Sequence, residues 1–346
     1  MVTPGEAGSA ALEEVPEPSP AEGSVLVEAV AVGVCGTDHE ILAGAYGVAP
    51  PGRTRLVLGH ESIGRVLEAP ADSGFAARDW VVGIVRRPDP VPCASCAAGE
   101  WDMCRNGRYT EHGIKGLPGF ASERFRLEPG FTVKVSPDLG DLGVLLEPTS
   151  VVAKAWDHIE RIGRRARFEP ERVLVTGAGP IGLLAALLGV QRGLDVHVLD
   201  HIEDGPKPSL VRDLGAVYHA GRVEELRRDA DIVLECTGAA PVIFAAIEAA
   251  RPNGIVCLAG VSAGGATVPV DVGALNRELV LENNVIFGSV NANRSHYEQA
   301  AEALDRADRS WLAHLITRRV PIDRWREALV QQPTDVKTVI AFDGSR

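Results

Sequence analysis

The sequence predicts an α/β protein in which a doubly wound parallel sheet is inserted into a mainly-β domain. Residues 172–200 have the pattern of a strand, a glycine turn, an apolar helix and a second strand. Strand-like and helical runs then alternate to about residue 290, which is typical of a parallel sheet with crossover helices. Strand-like runs separated by Gly and Pro precede residue 143 and return near the end of the chain. We therefore expect the two flanks to form one β-rich domain.

In the N-terminal flank, the alternation of Val and Ala predicts a half-buried strand over residues 24–34. Gly and Pro separate further short strands, which we expect at residues 55–58, 62–68, 80–86 and 132–134. From residue 143 the apolar spacing becomes helical and continues to about residue 162. The C-terminal stretch starts as a helix near residue 294 and ends with strand-like runs at 314–320 and 337–342.

The middle of the chain predicts six strands in one open parallel sheet, at residues 173–176, 196–200, 216–218, 231–236, 254–259 and 285–288. Helices are expected at 180–192, 207–214, 223–227, 241–250 and 272–281. These elements predict a β-rich domain over residues 1–170, with a lobe at about 86–110. The inserted domain covers residues 171–293, and a return segment covers residues 294–346.

The glycines at 177, 179 and 182 have the spacing G-x-G-x-x-G between a strand and a helix. Gly177 permits a sharp turn, Gly179 lets a pyrophosphate approach the backbone, and Gly182 lets the helix pack closely. The helix begins at Pro180 and Ile181, where unpaired N–H groups favour phosphate. This context predicts a dinucleotide site, whereas the alternative is a strand–turn–helix without a ligand.

Asp200 ends the second predicted strand, 18 positions after the last glycine of the turn. A carboxylate there can accept a hydrogen bond from a ribose 2′-OH and repels a 2′-phosphate. No arginine occurs among His201 and the three residues after it. We therefore expect NAD in preference to NADP, a preference that Lys207 and Lys337 can weaken. The alternative is that Asp200 is only a helix-capping or surface acid.

The 346 residues are 45% hydrophobic and 24% charged, which indicates a globular chain of two domains. The net charge of −12 argues against nucleic acid and anionic membranes as partners. No apolar run approaches the ~18–20 residues of a membrane span. The first twenty residues lack the basic and apolar regions of a secretory signal. Because three of six cysteines cluster, we expect metal ligation in a reducing cytoplasm.

Cys35, His60 and Glu147 are candidate ligands of a catalytic metal ion. Thiolate, imidazole and carboxylate are all zinc ligands, and three protein ligands leave one position open for a substrate. Taken singly, His60 has the alternative of a structural histidine and Cys35 that of a small buried apolar residue. The three together, beside a dinucleotide domain, favour zinc.

A second cluster has the spacing Cys93-x2-Cys96-x7-Cys104 in a loop rich in Gly and Pro. Cys-x-x-Cys in such a loop is a common half of a structural zinc site. A closed site needs four ligands, and Asp89 is a candidate for the fourth. The alternative is a lobe without metal.

These segments resemble the zinc-dependent medium-chain dehydrogenases/reductases, and among them the glucose 1-dehydrogenases. The resemblance runs from about residue 20 to the C-terminus and implies a Rossmann domain inserted into a GroES-like catalytic domain. The motifs YTEHGIKG at 109–116 and GSVNAN at 288–293 are specific to the sugar-oxidising branch. The more widely shared motifs are VCGTDHEI at 34–41, LGHESIG at 58–64, CAAGEWDMC at 96–104, LLEP at 145–148 and TGAGPIG at 176–182.

The resemblance implies a role for each matching residue. Cys35, His60 and Glu147 correspond to catalytic zinc ligands, and Glu61 to a carboxylate that can approach the metal. Asp38 corresponds to an acid that orients the ligand histidine. Thr37 corresponds to the hydroxyl that contacts the reacting oxygen and starts a proton relay, and Glu111 and Asn291 correspond to sugar contacts. The residues that correspond to nucleotide contacts are Thr237, Gly238, Ala259, Gly260, Val261, Ser289, Val290, Asn291 and Lys337.

The activity implied is oxidation of the C1 hydroxyl of a D-glucose-like aldose to the lactone, with zinc as Lewis acid and NAD as hydride acceptor. A homodimer or homotetramer is also implied.

The sequence departs from the family pattern at several positions. Pro90 stands where many relatives have the first of four lobe cysteines. Val85 stands where some relatives have an Asn that touches sugar, and Val151 stands where an acidic substrate contact occurs. This leaves a polyol, cyclitol or aminocyclitol-precursor dehydrogenase as an alternative. Zinc-free quinone or enoyl reductases and a non-catalytic binding protein are further alternatives, against which the intact Cys/His/Glu set argues.

Overall fold

The computed structural model describes residues 1–226, 229–262 and 267–342. The chain divides into two compact units, the first formed by Met1–Ser150 with Asn291–Arg346 and the second by Val151–Val290. The first unit ends at Ser150 and not at residue 170, because the later part of a long helix packs in the second unit. Trp156 of that helix is buried there, and its indole Nε1 donates to the Ala185 carbonyl at 3.2 Å.

A seven-stranded sheet forms the centre of the first unit as far as the chain is described. Its order is β15-β16-β1-β2-β3-β8, and β7 also pairs with β1. All of its pairings are antiparallel except that of β15 with β16. With strands numbered along the chain, its members are β1 (Val25–Val34), β2 (Glu61–Glu68), β3 (Trp80–Gly83), β7 (Arg124–Leu127), β8 (Thr132–Val135), β15 (Ile316–Pro321) and β16 (Lys337–Ala341).

Strand β1 lies in the interior of this sheet, between β16 and β2. Its Val and Ala residues are accordingly buried along almost its whole length. Only Glu28 is exposed in it. On one edge β1 pairs with β2, and this pairing has register shifts after Leu26 and Ala29. On its other edge β1 pairs with β7 and β16. The core around it contains Val25, Val27, Ala29, Val32, Val66, Val81, Phe120, Phe125 and Leu127.

A small sheet carries the lobe of the first unit. It consists of β4 (Arg86–Arg87), β5 (Thr110–His112) and β6 (Gly116–Leu117), in that order. The α-helices of this unit are α1 (Gly36–Leu42), α2 (Ala94–Ala97), the start of α3 (Leu146–Gly163), α8 (Arg294–Arg306), α9 (Arg309–Leu315) and α10 (Trp325–Ala328). Short 3-10 turns occur at Pro20–Glu22, Trp101–Met103, Pro129–Phe131, Gly140–Leu145 and Ile322–Arg324.

The second unit is built on a sheet that is parallel throughout, with the order β11-β10-β9-β12-β13-β14 in the described residues. This order reverses between β9 and β12, as in a Rossmann sheet, and confirms the predicted fold. The strands are β9 (Arg172–Thr176), β10 (Asp195–Asp200), β11 (Val217–Ala220), β12 (Ala230–Glu235), β13 (Ala250–Leu258) and β14 (Val285–Gly288). The helices are α4 (Pro180–Gln191), α5 (Pro206–Asp213), α6 (Ala240–Glu248) and α7 (Val272–Leu281), with a 3-10 turn at Val223–Glu225.

Several predicted elements differ from the structure. The strand predicted at 55–58 is reduced to a single bridge between Leu56 and Val2. The strand predicted at 80–86 breaks after Gly83, and the chain resumes pairing in the lobe sheet. His314 belongs to α9, because the helix continues to Leu315 before β15 begins. The helix predicted at 223–227 ends as a short turn at Glu225, and Arg227 lies outside the described residues.

Among the described residues, no helix combines the length and the apolar character that a membrane crossing needs.

Asp231, near the start of β12, fixes the start of the neighbouring strand β9. Its buried carboxylate Oδ2 accepts the backbone N–H groups of Glu171 at 2.8 Å and Arg172 at 2.9 Å. We expect Asp231→Ala to destabilise the second unit by about 2 kcal/mol or more, because both N–H groups lose their acceptor. The midpoint of thermal unfolding should fall by roughly 4–8 °C in calorimetry.

The matched control is Glu169→Ala, which removes an exposed ion pair with Arg167 near the same strand. An exposed pair of this kind adds little stability, so the midpoint should not move. Equal shifts in the two variants would contradict the structural role of Asp231.

Candidate functional site

Cys35 is placed by the turn that joins β1 to helix α1. Its Sγ accepts the N–H of Thr37 at 3.3 Å, and its own N–H donates to the Asp38 carboxylate at 3.0 Å. Cys35 is therefore the N-cap of α1 in a reciprocal arrangement that satisfies both backbone donors. The thiol is fixed at the helix start, and Thr37 lies in the first helical turn beside it.

His60 lies next to this thiol, at the beginning of β2. Its Nε2 is 2.9 Å from Cys35 Sγ, and its Nδ1 is 3.6 Å from Asp38 Oδ1. Gly59 makes this placement possible: its φ is +87°, and a Cβ there would meet Val32 Cγ1 at 2.6 Å. Within the described ranges, neither His60 Nδ1 nor Asp38 Oδ1 has a hydrogen-bond partner.

Glu61 and Glu147 bring two buried carboxylates to the same part of the first unit. Glu61 forms an ion pair with the ammonium of Lys337, which also donates to the Val34 carbonyl at 3.1 Å. Lys337, expected at the nucleotide, is thus buried in strand β16 with its charge paired in this unit. Its nucleotide contact stays a prediction.

The electrostatics of this group fit a bound cation. The ligand atoms of Cys35, His60 and Glu61 all lie within 4.8 Å of one another. Burial acts to lower the pKa of His60, but the Cys35 and Asp38 charges outweigh it and raise that pKa well above its ordinary value. Burial and the Glu61 charge, opposed by that of His60, raise the pKa of Glu147 to about 7. Thiol, imidazole and carboxylate donors with orphaned polar atoms beside them are a chemically suitable set for zinc.

The predicted sugar contacts Glu111 and Asn291 are brought together. Asn291 Nδ2 donates to Glu111 Oε1 at 2.9 Å, and both side chains are buried. Arg86 also binds Glu111 Oε1, through Nε at 3.1 Å and Nη2 at 3.0 Å. The sequence reasoning missed Arg86, because an arginine in a short strand resembles an ordinary edge residue. Val85 next to it points into an apolar cluster with Ile41 and other aliphatic residues.

The three lobe cysteines form a second candidate metal group. The sulfurs of Cys93, Cys96 and Cys104 lie within 4.8 Å of one another. The N–H of Arg105, 3.4 Å from Cys93 Sγ, and that of Cys96 lower the pKa of Cys93 to about 6, which favours the thiolate that binds metals.

Asp89 is not part of this cysteine group, contrary to the expectation that it supplies a fourth ligand. Its carboxylate accepts the Val91 N–H at 2.8 Å, Asn106 Nδ2 at 2.8 Å and Arg108 Nε at 3.2 Å. With both oxygens engaged in shaping the loop, Asp89 contributes structure to the lobe. The described lobe therefore offers three thiol ligands.

In the second unit, the glycine turn has the geometry that its spacing predicts. Gly177 has a φ of +89°. A Cβ on Gly182 would lie 1.8 Å from the Gly177 carbonyl oxygen, so the helix can start this close to the strand only with glycine. Around Gly179 a Cβ would meet nothing within 4 Å, which leaves open space at the N-terminus of α4, where Pro180 and Ile181 begin the helix. This cradle suits a phosphate.

Asp200 lies at the end of β10, and its carboxylate is already in use. It accepts the Ala178 N–H at 2.7 Å and the Ile202 N–H at 3.1 Å, and Lys207 Nζ at 3.0 Å. Burial acts to raise the pKa of Asp200, but the Ala178 N–H and Lys207 outweigh it and lower that pKa, so the group is a carboxylate at neutral pH. His201 lies 3.2 Å from its Oδ1 and is exposed.

Glu235 organises the two loops that follow β12 and β13, and the sequence reasoning missed it. This fully buried carboxylate accepts the N–H groups of Thr237 at 2.7 Å and Gly238 at 3.1 Å. Its backbone carbonyl accepts the N–H groups of Ala259 at 2.8 Å and Gly260 at 2.9 Å. An acid directly after the apolar run 232–234 of this strand was the available signal for it.

The same two loops touch closely. A Cβ on Gly260 would lie 2.1 Å from the N of Gly238, whose φ is +65°. Val261 follows this contact and is exposed. The loops therefore form a shared backbone surface beside the glycine turn, since β9 and β12 are neighbours in the sheet. This is the switch point at which Rossmann sheets bind ligands.

Ser289 and Val290 follow the last strand of this sheet. The Ser289 N–H donates to the Leu258 carbonyl at 3.0 Å, which holds the segment beside β13. The Val290 carbonyl accepts Nζ of the buried Lys154 at 2.9 Å. Lys154 was not predicted, because a lysine in an apolar helix gives no sign of which backbone carbonyl it reaches.

Comparisons with known proteins agree with this geometry. Residues 140–342 match the family model described as glucose dehydrogenase C-terminus, and residues 21–137 match that of the alcohol dehydrogenase GroES-like domain. A glucose 1-dehydrogenase of Vulcanisaeta moutnovskia is 41% identical and covers 98% of this chain and 97% of its own. One of Methanocella arvoryzae is 37% identical, covering 98% of each chain.

Among solved structures, Haloferax mediterranei glucose dehydrogenase in complex with NADP, Zn and gluconolactone has a TM-score of 0.89 and 33% identity, and covers 99% of this chain and 98% of that one. The predicted family and enzyme class are confirmed. One family model spans more than half of the chain, and the relatives cover nearly all of it. The chain therefore belongs to the glucose dehydrogenase family of the zinc- and nicotinamide-dependent medium-chain dehydrogenases/reductases.

Proposed function

We propose that this protein oxidises the C1 hydroxyl of a D-glucose-like aldose to the lactone, with NAD as the preferred hydride acceptor. The observation that carries the proposal is one constellation of side chains in the first unit, all of them buried except the half-buried Cys35. There Cys35, His60 and Glu61 form a metal-type ligand group, and Glu111 bonded to Asn291 forms a polar group suited to sugar hydroxyls. The relatives are named glucose 1-dehydrogenases, which supports the same substrate class.

We assign Cys35, His60 and Glu147 as the ligands of a catalytic zinc ion, with Glu61 close enough to approach it. Zinc bound there would supply Lewis-acid polarisation of the hydroxyl that is oxidised. Asp38 orients His60 through the 3.6 Å contact at Nδ1, which leaves Nε2 directed at the thiol and the metal position. Cys93, Cys96 and Cys104 are the proposed ligands of a second, structural zinc ion.

Proton movement falls to residues near the ligand group. Thr37 is held in the first turn of α1 by its N–H bond to Cys35 Sγ, and its hydroxyl is proposed to accept the proton of the C1 hydroxyl. The proton then passes along a short relay to solvent. Glu111 and Asn291 bind other hydroxyls of the pyranose and so orient C1. The products are the lactone, NADH and a proton, which balances the oxidation.

For the nucleotide, the support lies in the backbone of the second unit. The pyrophosphate is proposed to bind the N–H groups at the start of α4, above Gly179. The loops carrying Thr237–Gly238 and Ala259–Val261, with Ser289 and Val290, are the proposed contacts of the rest of the nucleotide. Asp200 is ionised, so a ribose 2′-OH can donate to it while a 2′-phosphate meets its negative charge.

A polyol or cyclitol dehydrogenase is the second candidate, and Val85 favours it. Its side chain is buried in an apolar cluster, so it offers no hydrogen bond at the position that the family resemblance pairs with a polar substrate contact in some members. The deciding experiment is a panel of aldoses and inositol-type alcohols on zinc-loaded protein, followed by NADH absorbance. We expect aldoses to react with the higher kcat/KM, and activity confined to cyclitols would reverse the order of the two proposals.

A homodimer or homotetramer is the proposed assembly. Light scattering of the purified chain in solution measures its mass directly, and a monomeric mass would contradict this proposal.

Zinc dependence is tested by His60→Ala. We expect kcat to fall by at least about a hundredfold, because the polarising cation loses a ligand. Metal analysis should show one equivalent of zinc fewer than in the parent protein, and NADH binding by fluorescence should be retained. His39→Ala, on the same helix as Asp38 but outside the ligand group, is the control and should keep zinc and activity. Retention of full activity by His60→Ala would remove zinc from the proposed chemistry.

The NAD preference is tested by Asp200→Ala. Removing the carboxylate takes away both an acceptor for the ribose hydroxyl and the repulsion of a 2′-phosphate. We expect the ratio of kcat/KM for NAD over NADP to fall about tenfold or more. Asp204→Ala, an exposed acid four positions further on, is the matched control. The same ratio in parent and Asp200→Ala proteins would show that Asp200 does not select the nucleotide.

A further inference from the structure

Glu111 is held from one side only. Arg86 Nε, Arg86 Nη2 and Asn291 Nδ2 all donate to its Oε1, at 3.1, 3.0 and 2.9 Å. In the described residues no donor is bonded to Oε2 of the same carboxylate. The three side chains are buried, so their arrangement is maintained by these bonds and by packing. One oxygen is saturated, and the other is left to accept further donors.

Three of the five guanidinium N–H groups of Arg86 are bonded to protein acceptors. Besides its two bonds to Glu111, its Nη1 donates to the Asp102 carbonyl at 3.1 Å. The guanidinium also lies over the ring of Tyr109, 3.7 Å from the ring centroid. A planar guanidinium fixed at its edge and its face has one orientation, which a lysine cannot reproduce. These bonds and the ring contact hold the guanidinium against Glu111.

The anchor of Arg86 is in the cysteine lobe. Asp102 lies in the 3-10 turn Trp101–Met103, directly before Cys104. Its carboxylate also accepts Asn293 Nδ2 at 2.9 Å, two residues after Asn291. The same lobe residue thus binds Arg86 directly and also anchors the segment that carries Asn291.

We propose that Arg86 is a positioning residue for sugar recognition, which fixes Glu111 with Oε2 directed to the hydroxyls of the substrate. The inference rests on the proposed function, because it takes Glu111 to contact the sugar. Arg86 determines how tightly a neutral, hydroxyl-bearing substrate binds. The hydride step and the nucleotide lie outside its influence.

The test compares Arg86→Lys, Glu111→Gln and the double variant as zinc-loaded enzymes with D-glucose and NAD. Arg86→Lys should raise the KM for glucose about tenfold and change kcat less than about threefold, since charge is kept and the fork is lost. In the Glu111→Gln background the same change should add less than about twofold, because both residues act through one contact. The dissociation constant for NADH should stay the same in every variant.

The matched control is Arg87→Lys. Arg87 is the neighbouring arginine of β4, and it binds Glu128 at 3.1 Å and the Ile84 carbonyl at 2.6 Å, away from Glu111. We expect its KM for glucose to equal that of the parent. If circular dichroism shows that Arg86→Lys folds poorly, Tyr109→Leu is used in its place. Tyr109→Leu keeps the guanidinium and removes only the aromatic ring beneath it. It should raise the same KM, and Tyr109→Phe should leave it unchanged.

The outcomes distinguish a failure of the Glu111 sugar contact from a failure of the Arg86 positioning role. An unchanged KM in Glu111→Gln would remove Glu111 from sugar binding, and the proposed function would lose that contact. A raised KM in Glu111→Gln with an unchanged KM in Arg86→Lys or its replacement would overturn the positioning role alone. Fully multiplicative effects in the double variant, or an equal rise in the KM for NAD, would also overturn it.

Discussion

The burial of ionisable groups around His60 is the constraint on which the first unit depends. An imidazole and several carboxylates lie out of solvent in one place beside a half-buried thiol, and buried charges are tolerated only when they are paired. Lys337 supplies the charge opposite Glu61, and Arg86 that opposite Glu111. Lys337 comes from β16 of the seven-stranded sheet and Arg86 from β4 of the lobe sheet, so both sheets must form before the charges are balanced.

This constraint gives a reason for the discontinuous first unit. Lys337 opens β16, which pairs with β1 so that Val34 is opposite Thr338. Cys35 follows Val34 directly, and the Lys337 ammonium donates to the Val34 carbonyl. The return segment at the end of the chain therefore delivers a cation to the ligand group formed near its beginning. Without that pairing Glu61 would be a buried carboxylate with no counter-charge.

The second unit depends on a different constraint, which is the close approach of backbone to backbone. Gly182 packs against the carbonyl of Gly177, and Gly260 against the N of Gly238. Side chains are excluded from these contacts, so polar groups at the strand ends must hold the loops in place. Glu235 does so for two loops, since its buried carboxylate binds the loop after β12 and its backbone carbonyl binds the loop after β13.

The sequence by itself determined the features that a short run of residues encodes: the glycine turn, the acid that ends β10, the cysteine triplet and the Cys/His ligand types. Each depends on local backbone geometry or on the chemistry of one side chain, and residue type and spacing along the chain indicate both. Only the tertiary structure decided how the buried charges are paired. Arg86 meets Glu111, 25 positions away, and Asp89 is engaged by Asn106 and Arg108 instead of joining the cysteines. Such pairings follow from strand register and burial, because the electrostatic cost of a charge depends on what the fold places beside it.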